Sequence, residues 1–208
     1  MIPKIIHQLW IGKKYKKPQR LMDTWKNMNP SFEYMEWNDD NLKNRRFYNK
    51  RQINDMESYN GKCNIMRYEI LYKYGGFFID ADSECIAPLD DYLFDVPRFT
   101  CYENEIKGIR DGVKLLSSGY MASEKGDGFM ELCIREIHKK DLKGKLSHHT
   151  VGNLFLANMV AKYPEFPMTI YPSYFFIPKH GTGETYTGEG KVYAKQYWGS
   201  TFGIYDKL

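Results

Sequence analysis

A chain of 208 residues, 42% hydrophobic and 27% charged, is long enough to build one domain with a sizeable core and short for two. Its net charge of only +4 argues against a nucleic-acid-binding protein: the basic runs Lys13 to Arg20 and Lys43 to Arg51 read as solvated faces, with no recognisable nucleic-acid module around them. Cys63, Cys85, Cys101 and Cys133 lack Cys-x-x-Cys spacing, and neither a spanning apolar run nor a signal peptide is visible, so the expectation is free thiols in a soluble, cytoplasmic protein.

Taken in chain order, Ile2 to Ile11 is rich in β-branched and aromatic residues and reads as an interior strand, ending at Trp10-Ile11-Gly12. His7 within it reads as a core histidine. Pro18 suits a first helical turn, and Leu21, Met22, Trp25 and Met28 then give a helical stripe closed by Asn29-Pro30. Ser31 to Trp37 alternates as a second strand, with Asn38-Asp39-Asp40 as a helix cap. From Asn41 to Tyr59 the chain is polar, with weak periodicity.

The most informative stretch runs from Cys63 to Asp82. Met66, Ile70 and Tyr74, with Leu71 alongside, have helical spacing, and Gly75-Gly76 ends that helix. Phe77-Phe78-Ile79 is the short apolar run of a central strand covered on both faces. Asp80 and Asp82 follow, leaving an extended chain on the same side just past the strand's carboxyl end, which is where open α/β sheets bind ligands. Two neighbouring carboxylates suit a divalent cation with oxygen ligands, and such a cation suits a phosphate. An Asp-x-Asp taken alone also fits a solvated turn; the helix and strand before it favour the metal site. Asn64 and Arg67 share one face of that helix, and a guanidinium there suits a diphosphate.

Further on, Phe99 to Glu103 reads as a strand, residues 104 to 114, with Gly108, Asp111 and Gly112, as a loop, and Leu115 to Ala122 as another strand. Asp127 caps a helix carrying Met130, Ile134 and Ile137, and Thr150 to Tyr163 is a second helix halted before Pro164. His148-His149 just before it are adjacent in sequence, which rarely lets two histidines converge on one metal. Gly181 to Gly190 has four glycines in ten residues and reads as a mobile loop; it lacks the Lys-Ser/Thr of a phosphate-binding P-loop.

Arg67-Tyr-Glu-Ile-Leu-Tyr-Lys-Tyr-Gly-Gly-Phe-Phe-Ile-Asp-Ala-Asp82 resembles the signature of the DxD sugar-binding glycosyltransferases of family 32, which include initiating α-1,6-mannosyltransferases and capsule-type enzymes, with the clostridial glucosylating toxins as distant relatives. Ile2-Pro-Lys-Ile-Ile-His-Gln-Leu-Trp-Ile-Gly12 is similar to that family's first strand. Tyr174-Phe-Phe-Ile-Pro178 is similar to a late family segment. The tail Tyr193 to Phe202 is similar to the family's His-His-Trp-x-x-Ser-Trp ending, with Gln196 and Tyr197 in place of the histidines, Thr201 in place of the serine and Phe202 in place of the last tryptophan.

The resemblance implies an α/β fold: a single GT-A type, Rossmann-like nucleotide-sugar-binding domain over residues 1–208, with a mixed, mainly parallel sheet. Residues 1–95 would form the nucleotide and metal half, and 96–208 the sugar and acceptor half with its mobile C-terminal loop. It implies a retaining hexosyl transfer from a nucleotide diphosphate sugar to a glycan, lipid or protein hydroxyl, with Mn2+ or Mg2+ as cofactor. Asp82, Asp80 and, weakly, Gln196 would hold the metal, and Asp80, Asp82 and Arg67 would serve catalysis. Leu9, Trp10, Asn64, Arg67 and Asp80 would bind the nucleotide, Trp10 stacking on the base as in the toxins and thereby favouring uridine over guanosine. Gly75, Gly76, Ser118 and Gly119 would line the sugar. Asn64 stands where relatives have an aspartate and Ser118 where they commonly have an asparagine, so a catalytically degenerate nucleotide-sugar binder is the alternative. A phosphatase or nuclease with the same two aspartates would need further carboxylates or histidines, and no convincing set is visible in the sequence.

Overall fold

A computed structural model describes residues 1–110 and 112–208; Asp111, read above as part of a loop, lies outside the described residues. Strand β1 (Ile5–Trp10) leads into helix α1 (Gln19–Met28), whose buried Leu21, Met22 and Trp25 are the expected stripe. Strand β2 (Glu33–Asn38) follows. The short helix α2 (Asp39–Leu42) is closed by a reciprocal cap in which Asn38 and Asn41 each bind the other's backbone N–H. The polar stretch after it holds a helix that sequence periodicity does not announce, α3 (Lys50–Asp55). Its entry is fixed from elsewhere in the chain, since the Glu69 carboxylate accepts the N–H groups of Tyr48 at 2.7 Å and Asn49 at 2.9 Å.

Helix α4 (Tyr59–Tyr74) begins four residues before Cys63, because Ser58 caps it by accepting the Gly61 N–H at 3.2 Å. Then come β3 (Gly76–Ile79), β4 (Ser83–Cys85), β5 (Arg98–Cys101), the small hairpin β6 (Ile109–Arg110) and β7 (Val113–Lys114), and β8 (Tyr120–Ser123). Helix α5 (Gly128–His138) starts where the Asp127 side chain accepts the Met130 N–H at 3.1 Å. The helix expected from Thr150 is two helices, α6 (Ser147–Thr150) and α7 (Asn153–Lys162), broken where Gly152 leaves helical geometry. Strands β9 (Thr169–Tyr171) and β10 (Ala194–Gln196) and the short α8 (Gly199–Phe202) complete the chain.

Six strands form the central sheet in the order β2-β1-β3-β8-β5-β9. The β1–β2, β1–β3 and β5–β9 pairings are parallel; β3–β8 and β5–β8 are antiparallel. The sheet is therefore mixed and mainly parallel. Side-chain alternation along β3 feeds two cores: Phe78 packs with Leu9, Tyr68, Met121 and Phe155 on one face, while Phe77 and Ile79 pack with Trp25, Phe99, Tyr120 and Phe176 on the other. Each fully buried phenylalanine contributes about 1.5–3 kcal/mol, so the short β3 is held hard from both sides.

At the opposite end of β3 from Asp80, the Gly75 carbonyl accepts a hydrogen bond from His7 Nε2 at 2.7 Å, and His7 Nδ1 in turn accepts the Trp37 Nε1–H at 3.2 Å. Gly76 has φ +98°, and a Cβ there would lie 2.6 Å from the Ile5 carbonyl oxygen. Gly75 and Gly76 are thus packing residues at the foot of the strand. They do not line the cleft, which corrects the expectation that they contact a sugar. Helix termination and the close approach of β1 explain both glycines.

Candidate active site

Register along the parallel β1–β3 pair sets Gln8 opposite Ile79, so Leu9 and Trp10 end at the same sheet edge as Asp80. The Asp80 backbone is fixed there from two sides: its N–H donates to the Gly119 carbonyl at 3.0 Å, and its carbonyl accepts Gln8 Nε2 at 3.2 Å. Its side chain stays 37% exposed and is ion-paired with Arg67, which reaches up from α4. Arg67 is only 2% exposed and its guanidinium lies 4.7 Å from the centre of the Phe78 ring. Among the described residues, its Nε and Nη1 have no hydrogen-bond partner. At Gly119 a Cβ would come within 2.5 Å of Asp80 Oδ2, so only glycine allows the β8 entry to press against this carboxylate.

Asp82 is buried, 4% exposed, beneath the C-terminal tail. Its Oδ2 accepts the Gly199 N–H at 2.6 Å, its Oδ1 accepts Gln196 Nε2 at 3.0 Å, and its carbonyl accepts the Tyr197 N–H at 3.0 Å. Antiparallel pairing of β10 with β4 brings the tail there. Trp198 then turns the chain with φ +57°, the one non-glycine residue in the left-handed region among the described residues. That turn aims the Gly199 N–H at the carboxylate, and Trp198 Nε1 secures it by donating to the Lys179 carbonyl at 3.1 Å. Burial first, and then the neighbouring Asp80 charge, push the Asp82 carboxyl up to about 6, against the pull of the Gly199 and Gln196 hydrogen bonds.

Around these groups lies a cavity of about 560 Å³. Part of its lining is aromatic: Trp10 and Tyr205 meet edge to face with ring centres 4.9 Å apart, and the Tyr15 ring centre lies 5.6 Å from that of the same tyrosine. Part of it is polar. Ser118 donates its N–H at 2.8 Å and its hydroxyl at 2.7 Å to Asn153 Oδ1, with Asn64 Oδ1 3.4 Å from the same hydroxyl. Asn153 Nδ2 donates to Glu103, which is also bound by His180 Nε2 at 3.1 Å. Leu9, Trp10, Asn64, Arg67, Asp80, Asp82, Ser118, Gly119 and Gln196 therefore all line one cavity.

Sequence reasoning did not single out Tyr205, Asn153, Glu103 or Gly199. Asn153 had a local signal, as a polar side chain opening an otherwise apolar helix. Tyr205 and Glu103 reach the cavity, and Gly199 reaches Asp82, only through tertiary packing. The segment 181 to 190, expected as a mobile loop, carries a bridge between Lys179 and Thr185 and a stack of Tyr174 on Tyr186 with ring centres 4.1 Å apart. His148 and His149 sit on α6, both with Nε2 against Arg110 Nη1.

Among the described residues, no three His, Cys, Asp or Glu side chains converge on one metal position. What the site offers is two aspartates with hard oxygen donors, one of them buried with its ionised form disfavoured, beside a cavity open to further oxygens. That donor set suits Mg2+ or Mn2+ completed by phosphate and water oxygens. Gln196 does not stand as a free oxygen ligand, since its Oε1 accepts the Tyr120 hydroxyl at 2.8 Å and its nitrogen faces Asp82. It acts as a hydrogen-bond partner of the second aspartate.

Residues 16–99, which include both aspartates, match the family model described as a glycosyltransferase sugar-binding region containing a DXD motif. Over that stretch the chain is similar to the sugar-binding region of the DXD glycosyltransferases. Inositol phosphoceramide mannosyltransferase 3 of Schizosaccharomyces pombe is 27% identical over 179 residues, which cover 80% of this chain and 47% of that protein. Mannosyltransferase 1 of the same series and organism is 25% identical, covering 92% of this chain and 65% of the relative. A glycosyltransferase of Acanthamoeba polyphaga mimivirus, L373, itself uncharacterized, is 32% identical over 116 residues, covering 50% of this chain and 44% of its own length. The chain thus spans about half the length of the curated relatives it matches.

Among solved structures, a glycosyltransferase involved in glycosylation of the PBCV-1 major capsid superimposes with a TM-score of 0.60 at 9% identity, over 98% of this chain and 96% of that one. The PaToxG glycosyltransferase gives 0.58 at 16% identity, over 80% and 70%. At such identities the likeness speaks for the fold, and the fold of this DXD chain is the GT-A type. No helix among the described residues is long and apolar enough to cross a membrane.

Proposed function

We propose that this chain is a metal-dependent, retaining hexosyltransferase that takes a sugar from a nucleotide diphosphate sugar, with uridine preferred to guanosine, and delivers it to a hydroxyl of a glycan, lipid or protein. The observation that carries the reading is the placement of Asp80 and Asp82 at the carboxyl end of β3, in one cavity with a buried Arg67 two of whose nitrogens have no partner among the described residues. In this reading residues 1–95 hold the nucleotide and cation, and 96–208 hold the sugar and acceptor, within a single domain. The curated relatives named as mannosyltransferases of inositol phosphoceramide support a hexose as the transferred group and a lipid-linked hydroxyl as the acceptor.

When bound, the cation would serve as a Lewis acid on the leaving diphosphate. Asp82 and Asp80 would hold it. Arg67, already pre-oriented by Phe78 and Asp80, would place its spare N–H groups toward phosphate oxygens, whose charge grows as the glycosidic bond breaks. Trp10 and Tyr205 would form the wall for the base. The tail strand β10 and the Trp198 turn would roof the site and keep water from the activated sugar.

Incubation with a panel of UDP- and GDP-sugars and Mn2+, following nucleoside diphosphate release with and without an acceptor extract, tests this. Release should stop on chelation and in Asp82→Ala, and NMR of the product should show the donor's anomeric configuration retained. Failure of every donor to bind or turn over would contradict it. A second reading, a nucleotide-sugar binder without turnover, draws on one observation: each Asp82 oxygen already accepts one hydrogen bond, from Gln196 and from Gly199. Tight donor binding with no release would favour that reading.

A further inference from the structure

Outside the aspartate pair, Glu57 and Glu103 also line the cavity, and Glu103 is gripped from behind. Glu103 lies just beyond β5, with its side chain 14% exposed and facing the cavity. One oxygen accepts His180 Nε2 at 3.1 Å and the other accepts Asn153 Nδ2. His180, 7% exposed at its side chain, is fixed in turn by Thr182, whose hydroxyl lies 2.6 Å from Nδ1 and whose N–H donates to Nδ1 at 3.3 Å. The edge of Trp198 closes the other side of the imidazole, with ring centres 5.2 Å apart. A carboxylate offers about four acceptor positions; two are used by these donors and the rest remain for a ligand.

Glu103 is also ordered relative to the aspartates by a continuous run of contacts. Gly119 presses on Asp80, Ser118 beside it binds Asn153, and Asn153 binds Glu103. Trp10 and Tyr205 line the same cavity and meet each other edge to face. A ligand whose base sits against these two rings and whose diphosphate sits at Asp80 would extend its remaining part toward Ser118 and Glu103. In the reading above that part is a sugar. A half-buried, pre-oriented carboxylate with spare acceptor positions is suited to the hydroxyl groups of a neutral ring, and it would repel a second anion.

We propose that Glu103 is a sugar-binding residue that accepts hydroxyl hydrogens of the donor's transferred sugar, and that His180 and Asn153 are positioning residues acting through it. The proposal rests on the nucleotide-sugar reading.

The test separates the sugar from the nucleotide. Calorimetry with Mn2+ is run first with UDP and GDP, then with UDP-glucose, UDP-galactose, UDP-N-acetylglucosamine and GDP-mannose, on the wild type, Glu103→Ala and Glu103→Gln. Bare nucleotide affinity should stay within about 2-fold, while affinity for the preferred nucleotide sugar falls about 10- to 100-fold, as expected for hydrogen bonds to a charged group. Glutamine should rescue poorly, because both groups behind it are donors and an amide can accept with only one end.

His180→Ala should give a smaller loss, and His180→Gln, which keeps a donor near Nε2, should recover most of it. Thermal melts confirm that each variant is folded. Equal affinity for the nucleotide sugar in wild type and Glu103→Ala would overturn the proposal, and so would parallel loss of nucleotide and nucleotide-sugar binding. If the wild type bound no nucleotide at all, the functional reading would fail and this proposal with it.

Discussion

Arg67 and Asp80 face each other across the junction of α4 and β3, one buried and one partly in water, and the guanidinium is only partly satisfied by the pair. A buried nitrogen without a partner costs about 1–3 kcal/mol, so Arg67 is a weak choice for stability alone. Replacing it with methionine, which fills similar space over Phe78, should leave the melting temperature unchanged or higher. The same variant should lose at least about 100-fold in donor turnover, the worth of a charge-assisted contact made at the transition state. A clear drop in stability with turnover intact would mean that Arg67 is structural.

Asp82 holds the tail as well as facing the cavity. In Asp82→Ala the Gly199 N–H loses its acceptor and Gln196 loses its anchor. Amide exchange over residues 196 to 202 should quicken by about 10-fold or more, the range for hydrogen bonds to a charged group. Unchanged exchange there would show that β10 and the Trp198 turn are fixed by other contacts.

His7 supplies a pH signature remote from the cleft. Burial lowers its pKa from 6.5 to about 4, with the Gly75 hydrogen bond pulling the other way. The neutral ring is the folded form, so its stabilising contribution is complete above pH 6.5, shrinks as pH falls because only the unfolded chain takes up the proton, and is lost by about pH 4. The integrated change is roughly 3 kcal/mol. Denaturant titrations at several pH values should show that slope as the difference between wild type and His7→Gln, because the raised Asp82 carboxyl acts with the opposite sign over the same acid range. An identical slope in the variant would place the acid sensitivity elsewhere.

What the sequence made legible was local. The helix, glycine pair, apolar strand and double aspartate from Cys63 to Asp82 follow from periodicity and alternation, and β3 and its carboxylates lie where those rules put them. The sugar-contact expectation for Gly75 and Gly76 came from the family resemblance; a strand's length separates them from the carboxyl end of β3. Helix α3 escaped notice because its entry is capped by Glu69 from α4. Glu103 and His180 are 77 positions apart, and nothing in either neighbourhood announces the other.

Trp10 tests the base wall. Its replacement by alanine should weaken nucleotide binding by roughly 1–3 kcal/mol, the range for base–aromatic stacking; nucleotide should quench tryptophan fluorescence in the wild type and not in the variant. Its ring is only partly buried and meets Tyr205 at the cavity edge, so the variant should stay folded. Unfolding of Trp10→Ala with nucleotide affinity retained in the native fraction would assign the ring to the core.

The central claim is that Asp80 and Asp82 make nucleotide binding depend on a divalent cation. Calorimetry with UDP and GDP, each with and without Mn2+, measures this directly on wild type and Asp82→Ala. The account predicts binding that needs Mn2+ in the wild type and is absent from the folded variant under both conditions. Binding that ignores Mn2+, or that survives unchanged in Asp82→Ala, would contradict it.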